Sequence, residues 1–176
     1  MTERQFINRV SNSKGDFLKW FIDILEEENI PFCVIGGLGV NAYVEPVVSL
    51  DLDLVISPFD LERLIALLGE KVSIKKEKDS VNISSPLSDL RIQIQTDPKY
   101  QGFIKNASYK NVLGYKLPVA SCEDILEGKI WAFQDKERRP SKRKKDIADI
   151  MRLVEKYPHL IEKLPDVIKN EMQKPF

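Results

Sequence analysis

Histidine, cysteine and net charge are what this sequence has least of. In 176 residues it carries one histidine, two cysteines, and 27 basic side chains against 27 acidic ones. The lone His159 follows Pro158 with no second histidine near it, so histidine-based zinc chemistry is not expected. Cys33 falls in an apolar run and Cys122 at a helix start, without ligand-like spacing; both read as reduced, mostly buried thiols. A formal charge of zero announces no nucleic-acid partner, and local charge has to carry any such argument. No apolar stretch approaches the roughly 20 residues needed to cross a bilayer, and no N-terminal apolar run follows a basic segment. The expectation is a cytoplasmic protein with no membrane partner. Internal repeats, low-complexity tracts and interdomain linkers are also missing.

What is present is an ordinary globular balance, 43% hydrophobic and 31% charged, in a chain long enough to bury a substantial core without staples. The length fits one domain, or one domain with a helical extension. Residues 1–12 show no strong period. From Asp16 the residues Phe17, Leu18, Phe21, Ile22 and Leu25 recur at helical spacing, capped by Ser13 or Asp16 and stopped by Pro31. Phe32–Ile35 reads as a buried strand. Gly36, Gly37 and Gly39 then turn the chain into a short helix near Val40–Val44, ended by Pro46. A strand follows over about Leu50–Ile56, then a helix opened by Ser57-Pro58 and closed by Gly69.

Residues 71–77 and 81–84 look like short strands, and Leu90–Gln95 alternates strictly as a half-buried strand. Asp97-Pro98 opens a short helix, and Tyr109–Leu113 with Tyr115–Val119 make a hairpin about Gly114. Ser121-Cys122-Glu123-Asp124 caps a helix bearing Ile125, Leu126, Ile130, Trp131 and Phe133. A basic run, Lys136 to Lys145, broken by Pro140, precedes a helix carrying Ile147, Ile150, Met151, Leu153 and Val154. Pro158 and Pro165 delimit the last helical segments. The fold class is α+β, a small mixed sheet with flanking helices, followed by C-terminal helices.

The most informative stretch is Ile35-Gly36-Gly37 followed by Ser49-Leu50-Asp51-Leu52-Asp53-Leu54-Val55. Side chains alternate faces along a strand, so Asp51 and Asp53 point one way and the leucines the other. Two adjacent carboxylates repel unless a cation or proton lies between them. Beside a glycine-lined turn, the pair points to a metal and phosphate site.

Gly-Gly, thirteen residues, then Asp51-Leu52-Asp53 resembles the signature of the nucleotidyltransferase superfamily, the fold of DNA polymerase beta. Ser49, two residues before the first aspartate, matches the same pattern. Further on, the run from Glu123 to Ala132, then Arg139-Pro140, then Lys145-Asp146-Ile147-Ala148-Asp149-Ile150, is similar to the C-terminal motifs of AbiEii-type bacterial nucleotidyltransferases. The resemblance implies a nucleotidyltransferase-like domain over 1–176, with its core at about 14–120 and a helical part at about 121–176. It implies Mg²⁺ or Mn²⁺ held by Asp51 and Asp53, and a nucleoside triphosphate held at Gly36, Gly37, Ser49 and Lys129. It also implies transfer of a nucleoside monophosphate to an RNA, protein or small-molecule acceptor, as in toxin–antitoxin or defence systems, where a cognate antitoxin would be a partner.

One departure stands out. The third carboxylate of such sites is expected on Leu90–Gln95, where Gln93 stands instead; an amide accepts no proton at neutral pH. Asp89 or Asp97 would substitute in another register. Asp146 and Asp149 share roughly one helix face. The resemblance gives one of them a place in the site, as the missing acid or as an anchor for a basic residue; the plain alternative is surface pairing with Lys142 or Lys145. The basic run, Lys145 included, would serve the triphosphate or an RNA end, or be a solvated segment. The competing reading is a domain that kept the fold, lost the third acid, and binds nucleotide or a partner without turnover.

Overall fold

The computed structural model describes residues 1–174, and among them it forms a seven-stranded mixed sheet in the order β3-β4-β5-β2-β1-β7-β6. The strands are β1 (Phe32–Ile35), β2 (Asp51–Ile56), β3 (Ser73–Lys76), β4 (Ser80–Ser85), β5 (Ser88–Gln95), β6 (Ser108–Val112) and β7 (Tyr115–Val119). The strand β2 runs antiparallel to β1 on one side and parallel to β5 on the other. Val34 of β1 pairs in parallel with Val119, which attaches the β6–β7 hairpin. Leu52 and Leu54 are fully buried, as are Val34, Ile92 and Ile94 of the neighbouring strands. One face of β2 is thus locked into the core, so the alternate positions 51 and 53 present carboxylates on the other.

Seven α-helices surround the sheet among the described residues: α1 (Glu3–Val10), α2 (Phe17–Glu27), α3 (Gly36–Asn41), α4 (Pro58–Leu68), α5 (Cys122–Gln134), α6 (Pro140–Lys156) and α7 (Asp166–Met172). Three 3-10 segments, Gly69–Lys71, Pro98–Asn106 and Pro158–Lys163, join them. Capping accounts for several starts. The Asp16 carboxylate accepts from the Lys19 amide, the Ser57 hydroxyl from the Asp60 amide, and the Ser121 hydroxyl from the Asp124 amide. The hairpin turn is built from Leu113 and Gly114, both at positive φ (56° and 80°). None of the helices is long and apolar enough to cross a membrane.

Three expectations need correction. Residues 3–10 are helical after all, held by a reciprocal cap in which Gln5 and Thr2 bond each other's backbone. The helix after β1 begins at Gly36 and ends at Asn41, earlier than Val40–Val44, because the Gly36 backbone already turns at the strand's last residue. Pro140 opens α6 rather than breaking the basic run: it occupies the first helical turn, where its missing N–H costs nothing. The basic run therefore lies largely on a helix, at fixed orientation. The buried apolar cluster extends from Ile7 to Ile168, with Ile125, Leu126, Ile150 and Leu153 joining the helices to the sheet.

Candidate active site

The two aspartates of β2 open into a cleft of about 180 Å³ whose walls include Gly36, Gly37, Ser49, Gln93, Lys129, Arg138, Lys142, Lys145 and Asp146. The structure thus gathers at one place every site residue expected from sequence except Asp149, which stands just behind. Ile35 at the end of β1 pairs with Asp53, which puts the Gly36–Gly37 turn over the second aspartate. Gly36 sits at φ +65°, and a Cβ built there would fall 2.0 Å from Asp53 Oδ2. Glycine at 36 is therefore required by both backbone conformation and the packing of Asp53 beneath it. A Cβ at Gly37 would meet nothing within 4 Å, so that position faces open space in the cleft. Gly39 has a third reason: Ile125 of α5 packs where its side chain would be, 2.4 Å from an ideal Cβ.

Strand register settles the position of the third group. Asp53 pairs with Gln93, and Asp51 with Arg91, across the parallel β2–β5 ladder. Gln93 is therefore directly opposite Asp53. Asp89 is engaged elsewhere, accepting from Asn12 Nδ2, and Asp97 caps the following 3-10 segment through the Lys99 amide. Among the described residues no cluster of three potential metal ligands exists, so neither Asp124 nor Asp146 completes a triad with the two aspartates.

The electrostatics of the pair are unequal. Asp53 has its carboxyl pushed above the usual range, chiefly by desolvation and further by Asp51, against the lowering pull of Lys129, Lys142 and Arg138. Asp51 is more open, and cations take both its oxygens: Arg91 Nη2 at 2.8 Å from Oδ1 and Lys142 Nζ at 3.7 Å from Oδ2. Ser49 is buried, its hydroxyl 3.3 Å from the Asp51 amide, which ties down the chain entering β2.

Behind the aspartates is a charged network in which Asp146 and Asp149 anchor basic residues, one of the two readings left open from sequence. Lys129 is buried, with Nζ 3.2 Å from Asp146 Oδ1 and 2.6 Å from Asp149 Oδ2. The second contact is ionic only, outside hydrogen-bond geometry. Arg138 grips Asp146 through Nε at 2.5 Å and Nη2 at 3.1 Å, and Arg152 Nη1 donates to Asp149 at 2.9 Å. Asp146 and Asp149 therefore do not pair with Lys142 or Lys145 at the surface; they anchor Lys129, Arg138 and Arg152 from the interior. Arg152 also reaches the Asn41 side chain and the Glu45 carbonyl, tying α6 to the segment after α3.

The basic run divides by function. Arg138, Lys142 and Lys145 line the cleft, whereas Arg143 donates to the Phe133 carbonyl and stacks on its ring. Sequence reasoning gave no individual part to Arg91, Tyr100, Phe103 or Asp124, all of which line the cleft or contact its aspartates. The sequence shows only that Arg91 shares a strand face with Gln93; its place beside Asp51 comes from the ladder. Tyr100 and Phe103 come from the 3-10 segment and stack with Trp131 of α5, a contact no local pattern announces.

Asp51 and Asp53 are the residues of this cleft that could hold a divalent cation such as magnesium. Such an ion commonly takes one or two protein carboxylates and completes its shell with phosphate oxygens and water.

Neither the family models nor the curated proteins contain a match to this sequence. Solved structures do match in shape. The chain is similar to ANT(2")-Ia in complex with adenylyl-2"-tobramycin, at a TM-score of 0.62 and 15% identity over 88% of this chain and 95% of that one. It is similar to the lincosamide antibiotic adenylyltransferase LnuA, lincomycin-bound, at a TM-score of 0.54 and 15% identity over 81% and 99%. An antigenic nucleotidyltransferase-like protein from Paracoccidioides brasiliensis aligns at a TM-score of 0.50 and 18% identity over 82% and 85%. At these identities the likeness is one of architecture, and the architecture of this chain is the nucleotidyltransferase fold.

Proposed function

We propose that this protein transfers a nucleoside monophosphate from a nucleoside triphosphate to an acceptor. The observation that supports this reading is the juxtaposition of Asp51 and Asp53, on one face of β2, with the bare Gly36–Gly37 turn and the cations of α5 and α6 around one cleft. The triphosphate lies against the open face of Gly37, where no side chain keeps the phosphates at a distance. Lys142 and Lys145 meet its negative charge from α6. Asp51 and Asp53 would hold Mg²⁺ or Mn²⁺ together with the triphosphate, and the ion would supply Lewis-acid stabilisation of charge developing on the phosphates. Gly36 leaves the space that Asp53 occupies, and the positive charge of Lys129 behind it favours the ionised carboxylate. The acceptor is an RNA, a protein or a small molecule. The antibiotic-modifying neighbours favour a small molecule. The basic run favours an anion, as in an AbiEii-like toxin–antitoxin or defence setting with a cytoplasmic antitoxin partner.

The test is incubation with each α-labelled nucleoside triphosphate, Mg²⁺ or Mn²⁺, and a mixture of RNA, protein and metabolites. Label moves to an acceptor with the unchanged protein and not with Asp51→Asn/Asp53→Asn. Transfer that survives this double change refutes the assignment of the aspartates.

A second reading draws on Gln93. With an amide opposite Asp53 and, among the described residues, no third carboxylate grouped with the pair as metal ligands, a nucleotide-binding domain without turnover has the same support from the fold. It predicts a nucleotide-dependent rise in melting temperature without any labelled product.

A further inference from the structure

Transfer to a hydroxyl acceptor requires that a proton leave the attacking oxygen, and a positioned base ordinarily takes it. Among the described residues, every carboxylate lining the cleft other than Asp53 already accepts from, or is paired with, another side chain. Gln93 opposite Asp53 accepts no proton. Asp51 is covered by Arg91 and Lys142, and Asp146 by Arg138 and Lys129. Asp124 lines the cleft, but it lies in the first turn of α5, its carboxylate accepts from Asn106 Nδ2 at 3.1 Å, and it forms no metal-ligand cluster with Asp51 and Asp53. The rim where a third acid would concentrate negative charge is cationic instead. Arg91 is two residues from Gln93 on the same face of β5, with 67% of its side chain exposed, and Lys142 stands across Asp51 from it.

Resting on the proposed transfer, we infer that the acceptor is a phosphate monoester. Such a group is already ionised at neutral pH, so its attack needs no base, and its charge is what the exposed Arg91 would bind, Lys142 being left to the triphosphate. A third acid at position 93 would repel it. The step balances without proton transfer. An acceptor phosphate oxygen bonds to the α-phosphorus of the triphosphate, the bond from that phosphorus to the oxygen bridging the β-phosphorus breaks, and pyrophosphate leaves with the electron pair. The product joins nucleoside monophosphate and acceptor through a phosphoanhydride. The same chemistry is presented by a sugar phosphate and by the 5′-phosphate of an RNA.

The experiment supplies α-labelled nucleoside triphosphates and Mg²⁺ with glucose 1-phosphate, glycerol 3-phosphate or a 5′-phosphorylated oligoribonucleotide, each beside its dephosphorylated form. The expected product forms only with a phosphorylated acceptor, and its label resists phosphatase. Which of the three acceptors is labelled tells a small phosphate from an RNA end. Arg91→Ala should weaken binding of that acceptor at least tenfold by calorimetry, a readout independent of turnover. Gln93→Glu should reverse the preference, lowering transfer to phosphate at least tenfold relative to hydroxyl. Transfer to the dephosphorylated forms, or transfer abolished by Asp124→Asn, overturns the inference and returns a base to the site. Triphosphate binding without product from any phosphorylated acceptor also overturns it. Failure to bind triphosphate at all overturns the underlying transferase reading instead.

Discussion

Replacing Lys129 by methionine separates a structural cation from a ligand-contacting one. The ammonium is buried with two carboxylates, Asp146 and Asp149, whose side chains are 1% and 5% exposed. Removing one partner of a buried ion pair typically costs about 3–5 kcal/mol, because the remaining charge stays desolvated. Here each carboxylate keeps one arginine, Arg138 on Asp146 and Arg152 on Asp149, so the low end applies, about 3 kcal/mol. For a chain of this length that corresponds to a fall in Tm of about 6–12 °C. Urea unfolding of Lys129→Met gives the loss directly. A double-mutant cycle with Asp149→Asn should show a coupling of at least about 1 kcal/mol between the two positions, which independent sites would not show. A Lys129→Met protein within about 1 kcal/mol of the parent, yet unable to bind triphosphate, would refute the network and make Lys129 a phosphate contact.

Asp53→Asn should abolish transfer while raising Tm, since it removes a desolvated charge set beside Asp51; a lower Tm by calorimetry contradicts the raised carboxyl. Gly36→Ala and Gly37→Ala should part company. The first forces a Cβ into Asp53 at positive φ and destabilises by about 1–3 kcal/mol, whereas the second keeps or gains up to about 1 kcal/mol of helix stability but loses triphosphate affinity in a thermal-shift titration. Burial pushes the Cys33 thiol up to about 12 and Cys122 to about 11, so neither is a thiolate at pH 8 and iodoacetamide should label the folded protein slowly and the urea-unfolded protein fast. The same rise stabilises the fold below pH 9.0, where both thiols are neutral in either state; that contribution is lost as pH climbs from 9.0 through about 12, which a denaturation series in alkali would register.

Local chemistry made most of the elements legible. The β2 carboxylates alternate with Leu52 and Leu54, and no other register puts the leucines in the core; Ser57-Pro58 and Ser121 mark their helix starts through caps that the structure uses. Helix α1 was missed because it has few apolar residues, with Ile7 its one buried side chain, and its cap is a reciprocal Thr2–Gln5 pair rather than an apolar signal. The site was legible where it depends on contiguous chain, as at Gly36–Gly37 and Asp51-Leu52-Asp53. It was illegible where it depends on pairing between distant segments. Nothing in the order of residues says that Arg91 will stand beside Asp51; only the parallel ladder of β2 and β5 does.

The same limit explains why Asp146 and Asp149 were weighed as surface residues. A helix beginning in a dense basic run offers each carboxylate several lysines at i±3 and i±4, which is the ordinary solvated arrangement. What overrides it is α5, which packs against α6 and delivers a buried lysine between the two acids. A charge cannot be left alone in that interior, so the pair of carboxylates and the cations around it are one unit, and each member depends on the others being ionised. That unit sits directly behind the aspartates of β2, and Lys129 is the strongest single pull opposing the desolvation of Asp53. The helical C-terminal part is therefore more than a cover for the sheet: through Lys129 it favours the ionised form of Asp53, the form in which a carboxylate can bind a cation.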